Sequence, residues 1–150
     1  MMFKIFRKNH TTANIELKDN NQLSALKLAA QKAADEFNVD EQAIQSSIFA
    51  SAAQGNTIIE NRAVFMYATS DKKSRLHTML LTFKDPVAWG DDRTPVDYLI
   101  IGLFPGDSDQ TNVDDLTNKI TTELHEKADQ LDDIKFNDSD LNKLNQSFTD

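Results

Sequence analysis

The spacing of apolar residues predicts two consecutive amphipathic helices in the first third of the chain. From Gln22 to Phe37 the apolar positions recur at steps of three and four, so they share one helical face: Leu23, Leu26, Ala30, Ala33 and Phe37. Asn20 or Asn21 can cap the first turn of this helix. A second helix is predicted after Asp40, a good capping residue, and it ends near Gly55, which tolerates a left-handed conformation.

Strand-like segments surround these helices in the sequence. Apolar residues alternate or run continuously in five places: Asn14–Leu17, Ile58–Ile59, Arg62–Tyr67, Arg75–Phe83 and Tyr98–Phe104. The last run is typical of a central strand that is buried on both faces. Lys84–Pro95 contains two prolines and a glycine, so we expect a loop there, with Trp89 packed partly over the edge of the sheet.

Helical periodicity returns in the last third of the chain. One apolar stripe comprises Val113, Leu116, Ile120 and Leu124, and a last short helix carries Leu141, Leu144 and Phe148. With Ile58–Ile59 and Arg62–Tyr67 taken as segments of one strand, the predicted order is one strand, two helices, three strands and two or three helices, which favours a layered α/β or α+β sandwich. The length of 150 residues suits a single domain, predicted at 12–150, with residues 1–11 as an N-terminal arm.

Composition and charge exclude several classes of function. Lys and Arg total 16 against 24 Asp and Glu, so the net charge of -8 argues against nucleic acid and favours a basic protein partner. The chain has no cysteine, which excludes disulfides and thiolate metal sites and fits a reducing compartment. No apolar run reaches the roughly 20 residues of a membrane helix, and the first residues lack the features of a signal peptide. We therefore expect a cytoplasmic chain without direct membrane insertion.

Candidate catalytic residues are few. The histidines are His10, His77 and His125, and their spacing matches no metal site. His77 lies on the apolar face of a predicted strand. This position is more typical of a core histidine than of a catalyst. The pairs of aspartates are typical of helix caps and solvated faces, and four glycines leave little room for a phosphate-binding loop. Neither a cofactor nor a metal ion is expected.

Several short strings, taken in order, resemble a known family over about residues 14–148. The chain is similar to the fructose/mannitol-type enzyme IIA domain of the bacterial sugar phosphotransferase system. The strings that carry this resemblance are Asn14–Leu17, Gln22–Leu26, Arg62–Met66, Asp85–Gly90, Pro95–Leu103 and Val113–Leu116. Each string is weak alone, and their order and spacing make the resemblance more specific.

The resemblance implies both a fold and a chemistry. The fold is a mixed β-sheet between two helix layers. The chemistry is a phosphoryl relay, in which a histidine accepts phosphate from a small carrier protein and passes it to a IIB component. In the family, a second histidine and an arginine surround the charge of the phosphate.

This sequence departs from the family pattern at each of those positions. Aligning Ala63-Val64 with the family string places Met66 at the phosphorylated histidine, Phe65 at the preceding proline and Tyr67 at the following glycine. Ala50 falls near the arginine. The second histidine falls within Gln110–Asn112, and Asn112 is the best single match. Methionine has no nucleophilic nitrogen, so the resemblance implies a domain that has lost its catalytic cluster.

Three hypotheses of function follow from these observations. The first is an enzyme IIA-like protein without catalytic activity, which acts by binding or regulation, with Phe65, Met66 and Tyr67 near its contact surface and the carrier protein or a IIB component as its partner. The second is a working phosphocarrier in sugar uptake that uses a relocated histidine, of which His77 is the candidate in the sheet. The third is an unrelated α/β binding module without enzymatic activity. The sequence does not indicate the sugar or the oligomeric state.

Overall fold

A computed structural model describes residues 10–55 and 57–149 of the chain. This part contains five strands, five α-helices and a short 3-10 turn at Ala128–Gln130. The strands are β1 (Thr11–Ile15), β2 (Thr57–Ile59), β3 (Ala63–Ser70), β4 (His77–Trp89) and β5 (Thr94–Pro105), and the helices are α1 (Gln22–Phe37), α2 (Glu41–Ala53), α3 (Gln110–Glu126), α4 (Leu131–Ile134) and α5 (Asp138–Ser147). Of the predicted N-terminal arm, residues 1–9 lie outside the described residues, and Thr11 already belongs to β1.

The strands form one mixed sheet in the order β1-β4-β5-β3-β2. β5 is central and runs parallel to β3 and antiparallel to β4, while β1 runs parallel to β4 and β2 antiparallel to β3. Helices α1 and α2 pack on one face, and α3, α4 and α5 supply the apolar side chains on the other. The mixed sheet between two helix layers is therefore confirmed.

Burial of the central strand follows from its continuous apolar run. From Val96 to Phe104 every residue of β5 is buried, so both faces of this strand contribute to the two cores. The stripe of α3 is buried as predicted, from Val113 to Leu124. In α1 the stripe is buried from Leu26 to Phe37.

The predicted helix caps are present. The side chains of Asn21 and Asp40 accept hydrogen bonds from the backbone N–H of Ser24 at 2.8 Å and of Ala43 at 2.9 Å. These bonds satisfy amide groups that have no partner inside the helix, which explains why α1 and α2 start where they do.

Leu23 belongs to the apolar face predicted for α1, from which we expect burial, but it is 53% exposed. The side chain of Leu23 leaves α1 on nearly the same side as that of Ala30, because seven residues make almost two helical turns. Its exposure therefore comes from its place in the first turn of the helix and not from an error in the periodicity.

The prediction of a loop at Lys84–Pro95 is wrong, because β4 and β5 continue through most of this segment as a long antiparallel hairpin. Their register shifts between Thr82 and Val87, and this irregularity accommodates Pro86, which has no backbone N–H to donate. Trp89 pairs with Thr94 across the turn and is 2% exposed, so it belongs to the core and does not cover an edge.

Candidate functional site

A small cleft of about 180 Å³ lies where the end of α2 and the strands β2 and β3 meet the first half of α3. Ten residues line it: Ser51, Gln54, Gly55, Thr57, Phe65, Tyr67, Gln110, Val113, Asp114 and Thr117. The cleft contains two of the residues that the sequence placed at the family site, Phe65 and Tyr67.

Strand alternation along β3 separates the predicted site residues. Met66 is 0% exposed and lies in the core beneath α1 and α2, together with Val64. Phe65 and Tyr67 face the opposite layer, where Phe65 contributes to the core with Val113 of α3. Phe65 is buried and Tyr67 half-buried, so Tyr67 is the β3 side chain that is more open to the cleft.

Aromatic contacts hold Tyr67 in this position. Its ring stacks on Phe65 with centroids 6.2 Å apart and meets the ring of Phe104 edge-on at 6.0 Å. Such pairs stabilise one orientation of the ring beyond the burial of apolar area. The phenol therefore belongs to an ordered wall of the cleft.

Ala50 and Asn112 do not line the cleft. Ala50 is exposed on α2, and its neighbour Ser51 takes the lining position. The Asn112 side chain accepts a hydrogen bond from the Asp109 N–H at 2.9 Å, while the Asp109 carboxylate accepts one from the Asn112 N–H at 3.1 Å. This reciprocal capping box holds the Asn112 amide at the start of α3.

The polar groups of the cleft are neutral or acidic. Gln110 donates a hydrogen bond to the Asp114 carboxylate at 3.0 Å. Among the described lining residues there is no histidine, lysine or arginine. The cleft therefore has no nitrogen nucleophile and no cation to balance the charge of a phosphate.

The resemblance placed the start of α3, Gln110–Asn112, at the family site, and Gln110 does line the cleft. Gln110, Asp114 and Thr117 are spaced by four and three residues, so they form a polar row along one side of the helix. Sequence reasoning missed the part of this row that continues to Asp114 and Thr117.

The three histidines lie away from the cleft. His125 is exposed near the end of α3, and its Nδ1 lies 2.9 Å from a Glu60 carboxylate oxygen. His77 begins β4, and His10 directly precedes β1. His77 shares its strand face with Met79, Leu81 and Phe83, as the alternation predicted.

A buried ion cluster, which the sequence did not reveal, joins the sheet to the segment around α4. Asp97 accepts hydrogen bonds from Arg62 Nε at 3.0 Å and Nη2 at 2.6 Å, and from Lys135 Nζ at 2.9 Å. Tyr98 lies beneath Arg62 and donates its hydroxyl to the Leu131 carbonyl, and burial raises the pKa of this phenol. The cluster ties α4 to the sheet and takes no part in the cleft.

The sequence profile of the family described as phosphoenolpyruvate-dependent sugar phosphotransferase system, EIIA 2, matches residues 4–140. The chain belongs to this family. A comparison with curated proteins gives no match. No helix in the described part of this EIIA 2 domain has the length and apolar character to cross a membrane.

Solved structures with the same fold include three phosphotransferase proteins. The nitrogen regulatory protein IIA-Ntr from Neisseria meningitidis is 12% identical with a TM-score of 0.73, over 91% of this chain and 92% of that one. A Streptococcus pyogenes M1 GAS protein described as a PTS IIA domain is 18% identical with a TM-score of 0.63, over 93% and 90% of the two chains. A Streptococcus mutans protein described as PTS IIA (PtxA) is 15% identical with a TM-score of 0.63, over 91% and 87%. At these levels of sequence identity, the comparison shows only that the EIIA 2 domain has the same fold as these three proteins.

Proposed function

We propose that this EIIA 2 domain carries no phosphate in the cleft beside β3 and acts by binding another protein of the phosphotransferase system. The observation that supports the proposal is the lining of the cleft, where hydroxyl groups, amide groups and the Asp114 carboxylate are the polar groups and the described residues include no histidine, lysine or arginine. A phosphoryl relay needs both a nucleophilic nitrogen and compensation of the phosphate charge.

The position of Met66 supports the same proposal. Its side chain is fully buried beneath α1 and α2, and a thioether cannot form the labile phosphorus–nitrogen bond of a phosphohistidine. The substitution of the family histidine, as aligned on Ala63-Val64, therefore removes the chemistry and adds an apolar side chain to the core. Neither Ala50 nor Asn112 supplies a replacement, because one is a methyl group and the other caps α3.

The partner in this proposal is the small carrier protein or a IIB component. Tyr67 offers an ordered aromatic surface at the cleft, and tyrosine is enriched at protein interfaces. The net charge of -8 favours a partner with a basic docking face, since complementary charge accelerates association. The fructose/mannitol type, a regulatory role and a cytoplasmic location belong to this proposal as well.

Phosphorylation in vitro tests the loss of catalysis. The chain is incubated with phosphoenolpyruvate and the general phosphotransferase proteins, next to an active fructose-type IIA domain as a positive control, and intact masses are recorded. We expect no added phosphate on this chain and one acid-labile phosphate on the control. An acid-labile phosphate on this chain would contradict the proposal.

Binding is tested separately by NMR titration of the labelled chain with the carrier protein and with a IIB component. Shifts at Tyr67 and along the first half of α3 are expected with one of the two, and Tyr67→Ala should weaken them. If neither protein changes the spectrum under conditions in which the control IIA domain binds, the role in binding is wrong.

One observation favours a second candidate, a phosphocarrier that uses His77. Burial, followed by the charges of Lys73, Arg75 and His10, lowers the pKa of His77, so its imidazole is neutral at pH 7 and close to cations that could support a phosphate. An added phosphate that His77→Gln removes and His125→Gln leaves in place would establish this function. The third hypothesis, an unrelated module, does not survive the family match.

A further inference from the structure

A second, larger cavity of about 820 Å³ opens at the end of the sheet where β4 begins and β3 and β5 end. It lies between the end of α1 and the second half of α5. The side chains that matter for its chemistry fall into two groups: the ionisable His10, Glu36, Lys73, Arg75 and His77, and the amides Asn38, Asn142, Asn145 and Gln146.

The lining is positive in a protein that is otherwise acidic. Lys73 and Arg75 make no ion pair within residues 10–55 and 57–149. Glu36 is the one carboxylate among the described lining residues, and its Oε2 lies 3.2 Å from His10 Nδ1. With a net charge of -8 for the whole chain, a cavity with two uncompensated cations attracts anions locally.

Two imidazoles flank the same aromatic ring beside these cations. The His10 ring lies 5.0 Å from the Phe37 ring, and His77 lies 5.6 Å from it on centroid distances. Phe37, the last residue of α1, is 2% exposed and belongs to the core, so it holds both imidazoles at the cavity wall. A neutral imidazole keeps one ring N–H, so each of the two rings can supply a donor to an anion.

The opposite wall contains a buried acceptor without a partner. Asn145 is 5% exposed, and its Oδ1 makes no hydrogen bond in the described structure. The amide cannot be reversed without loss, because Nδ2 donates to the Thr78 carbonyl at 3.1 Å. A buried carbonyl oxygen of this kind is costly unless a donor reaches it.

We propose that this cavity binds a small organic anion, a phosphate monoester or a carboxylate, whose body carries hydroxyl groups. Lys73 and Arg75 bind the anionic group, with the imidazoles of His10 and His77 beside it. The amides of α5 bind the hydroxyl groups, and Asn145 Oδ1 accepts one of them. The cavity shares no lining residue with the cleft beside β3, so this proposal stands independently of the binding role proposed for that cleft.

The test is an NMR titration of the full chain, labelled with nitrogen-15, against glycerol 3-phosphate and gluconate in separate arms. Glycerol, sodium chloride and inorganic phosphate serve as comparison solutes. We expect saturable shifts at residues 73–78 and at Asn145 with one or both organic anions, and none with glycerol or chloride. The organic anion that binds more tightly shows whether the cavity prefers a phosphate monoester or a carboxylate.

Two sets of variants separate the roles of charge and hydroxyl recognition. The double variant Lys73→Gln, Arg75→Gln should weaken binding at least about tenfold, since it removes two charge-assisted contacts. Lys72→Gln is the matched control, because Lys72 lies in the same turn, is exposed and does not line the cavity. Asn142→Ala should weaken binding of the organic anion several-fold and leave that of inorganic phosphate unchanged.

Three results would overturn the proposal. The first is the absence of saturable shifts with either organic anion at millimolar concentration. The second is an equal loss of affinity in Lys72→Gln and in the double variant, which would indicate a general effect of charge. The third is equal binding of inorganic phosphate and glycerol 3-phosphate with no effect of Asn142→Ala, which would refute recognition of the hydroxylated body.

Discussion

Met66 and Tyr67 are neighbours on β3, yet their side chains enter opposite helical layers. Met66 is fully buried against the layer of α1 and α2, whereas Tyr67 stands half-buried at the cleft that α3 closes. Side chains alternate along a strand. If the alignment of β3 with the family string is shifted by one residue, the family position therefore moves from the core to the cleft. The two positions therefore differ in the kind of side chain that they tolerate.

Histidine should be tolerated at Tyr67 and not at Met66. Met66→His buries a polar ring in an apolar core and should lower the free energy of unfolding by about 2–5 kcal/mol. Tyr67→His loses aromatic contacts and should cost about 1 kcal/mol. Urea denaturation at pH 7.5 measures both. Equal stability of the two variants would contradict the separation of their side chains by β3.

Neither histidine variant should become a phosphocarrier. The cleft has no lysine or arginine among its described lining residues, and Asp114 adds negative charge near Tyr67. A phosphate on the Tyr67→His variant would lack electrostatic support, and the new side chain of Met66→His would be buried in the opposite core, away from any phosphoryl donor. Intact mass spectrometry after incubation with phosphoenolpyruvate and the general phosphotransferase proteins checks this. Efficient phosphorylation of Met66→His or Tyr67→His would mean that the surrounding site is intact.

Asp97→Ala should destabilise the domain strongly. The carboxylate is 8% exposed and pairs with both Arg62 and Lys135, so its removal leaves the buried Lys135 without an ion pair among the described residues, at a cost of about 3–5 kcal/mol. Asp132 pairs with the same arginine at 2.9 Å but is 85% exposed, and Asp132→Ala should cost less than about 1 kcal/mol. Denaturation midpoints compare the two. A cost for Asp97→Ala as small as that for Asp132→Ala would refute the role of the buried cluster.

Trp89→Ala should lower the free energy of unfolding by about 3–5 kcal/mol, because a fully buried indole leaves a large cavity. Phe136→Ala is the control, since that ring is 57% exposed and should contribute less than about 1 kcal/mol. Thermal or chemical denaturation gives both values. A denaturation midpoint of Trp89→Ala that equals that of the original chain would place the indole outside the core.

Stability should fall as the pH decreases through the range of histidine titration. Burial, followed by the charges of Lys73, Arg75 and His10, lowers the pKa of His77 from its usual 6.5, while Glu36 lies on the same cavity. Below pH 6.5 the unfolded chain therefore binds a proton that the folded chain binds only at lower pH, so acid favours unfolding. Urea midpoints between pH 8 and pH 5 should decline less in His77→Gln than in the original chain. His125→Gln is the control variant. A decline of the same size in His77→Gln and in the original chain would contradict the assignment of this pH dependence to His77.

The helices illustrate what local sequence predicts well. Asn21 and Asp40 cap their helices as expected, because a cap depends on residues three positions away. Leu23 and the segment around Trp89 illustrate the opposite case. Exposure of Leu23 depends on how the first turn of α1 packs, and the strand character of Lys84–Trp89 depends on pairing with β5, which tolerates Pro86 at a shift in register.

The sequence by itself determined the order of the elements, the apolar faces of the helices, the central position of β5 and the resemblance to enzyme IIA domains. The first three features follow from periodicities of two and 3.6 and from capping residues, which act over a few positions, while the resemblance depends on short strings in a fixed order. Only the tertiary structure decided which residues meet. The cleft joins Ser51, Tyr67 and Gln110. The ion cluster joins Arg62, Asp97 and Lys135. The large cavity joins His10, His77 and Asn145. Residues so far apart in the chain come together only through the pairing of strands and the packing of two helix layers, which no local pattern encodes.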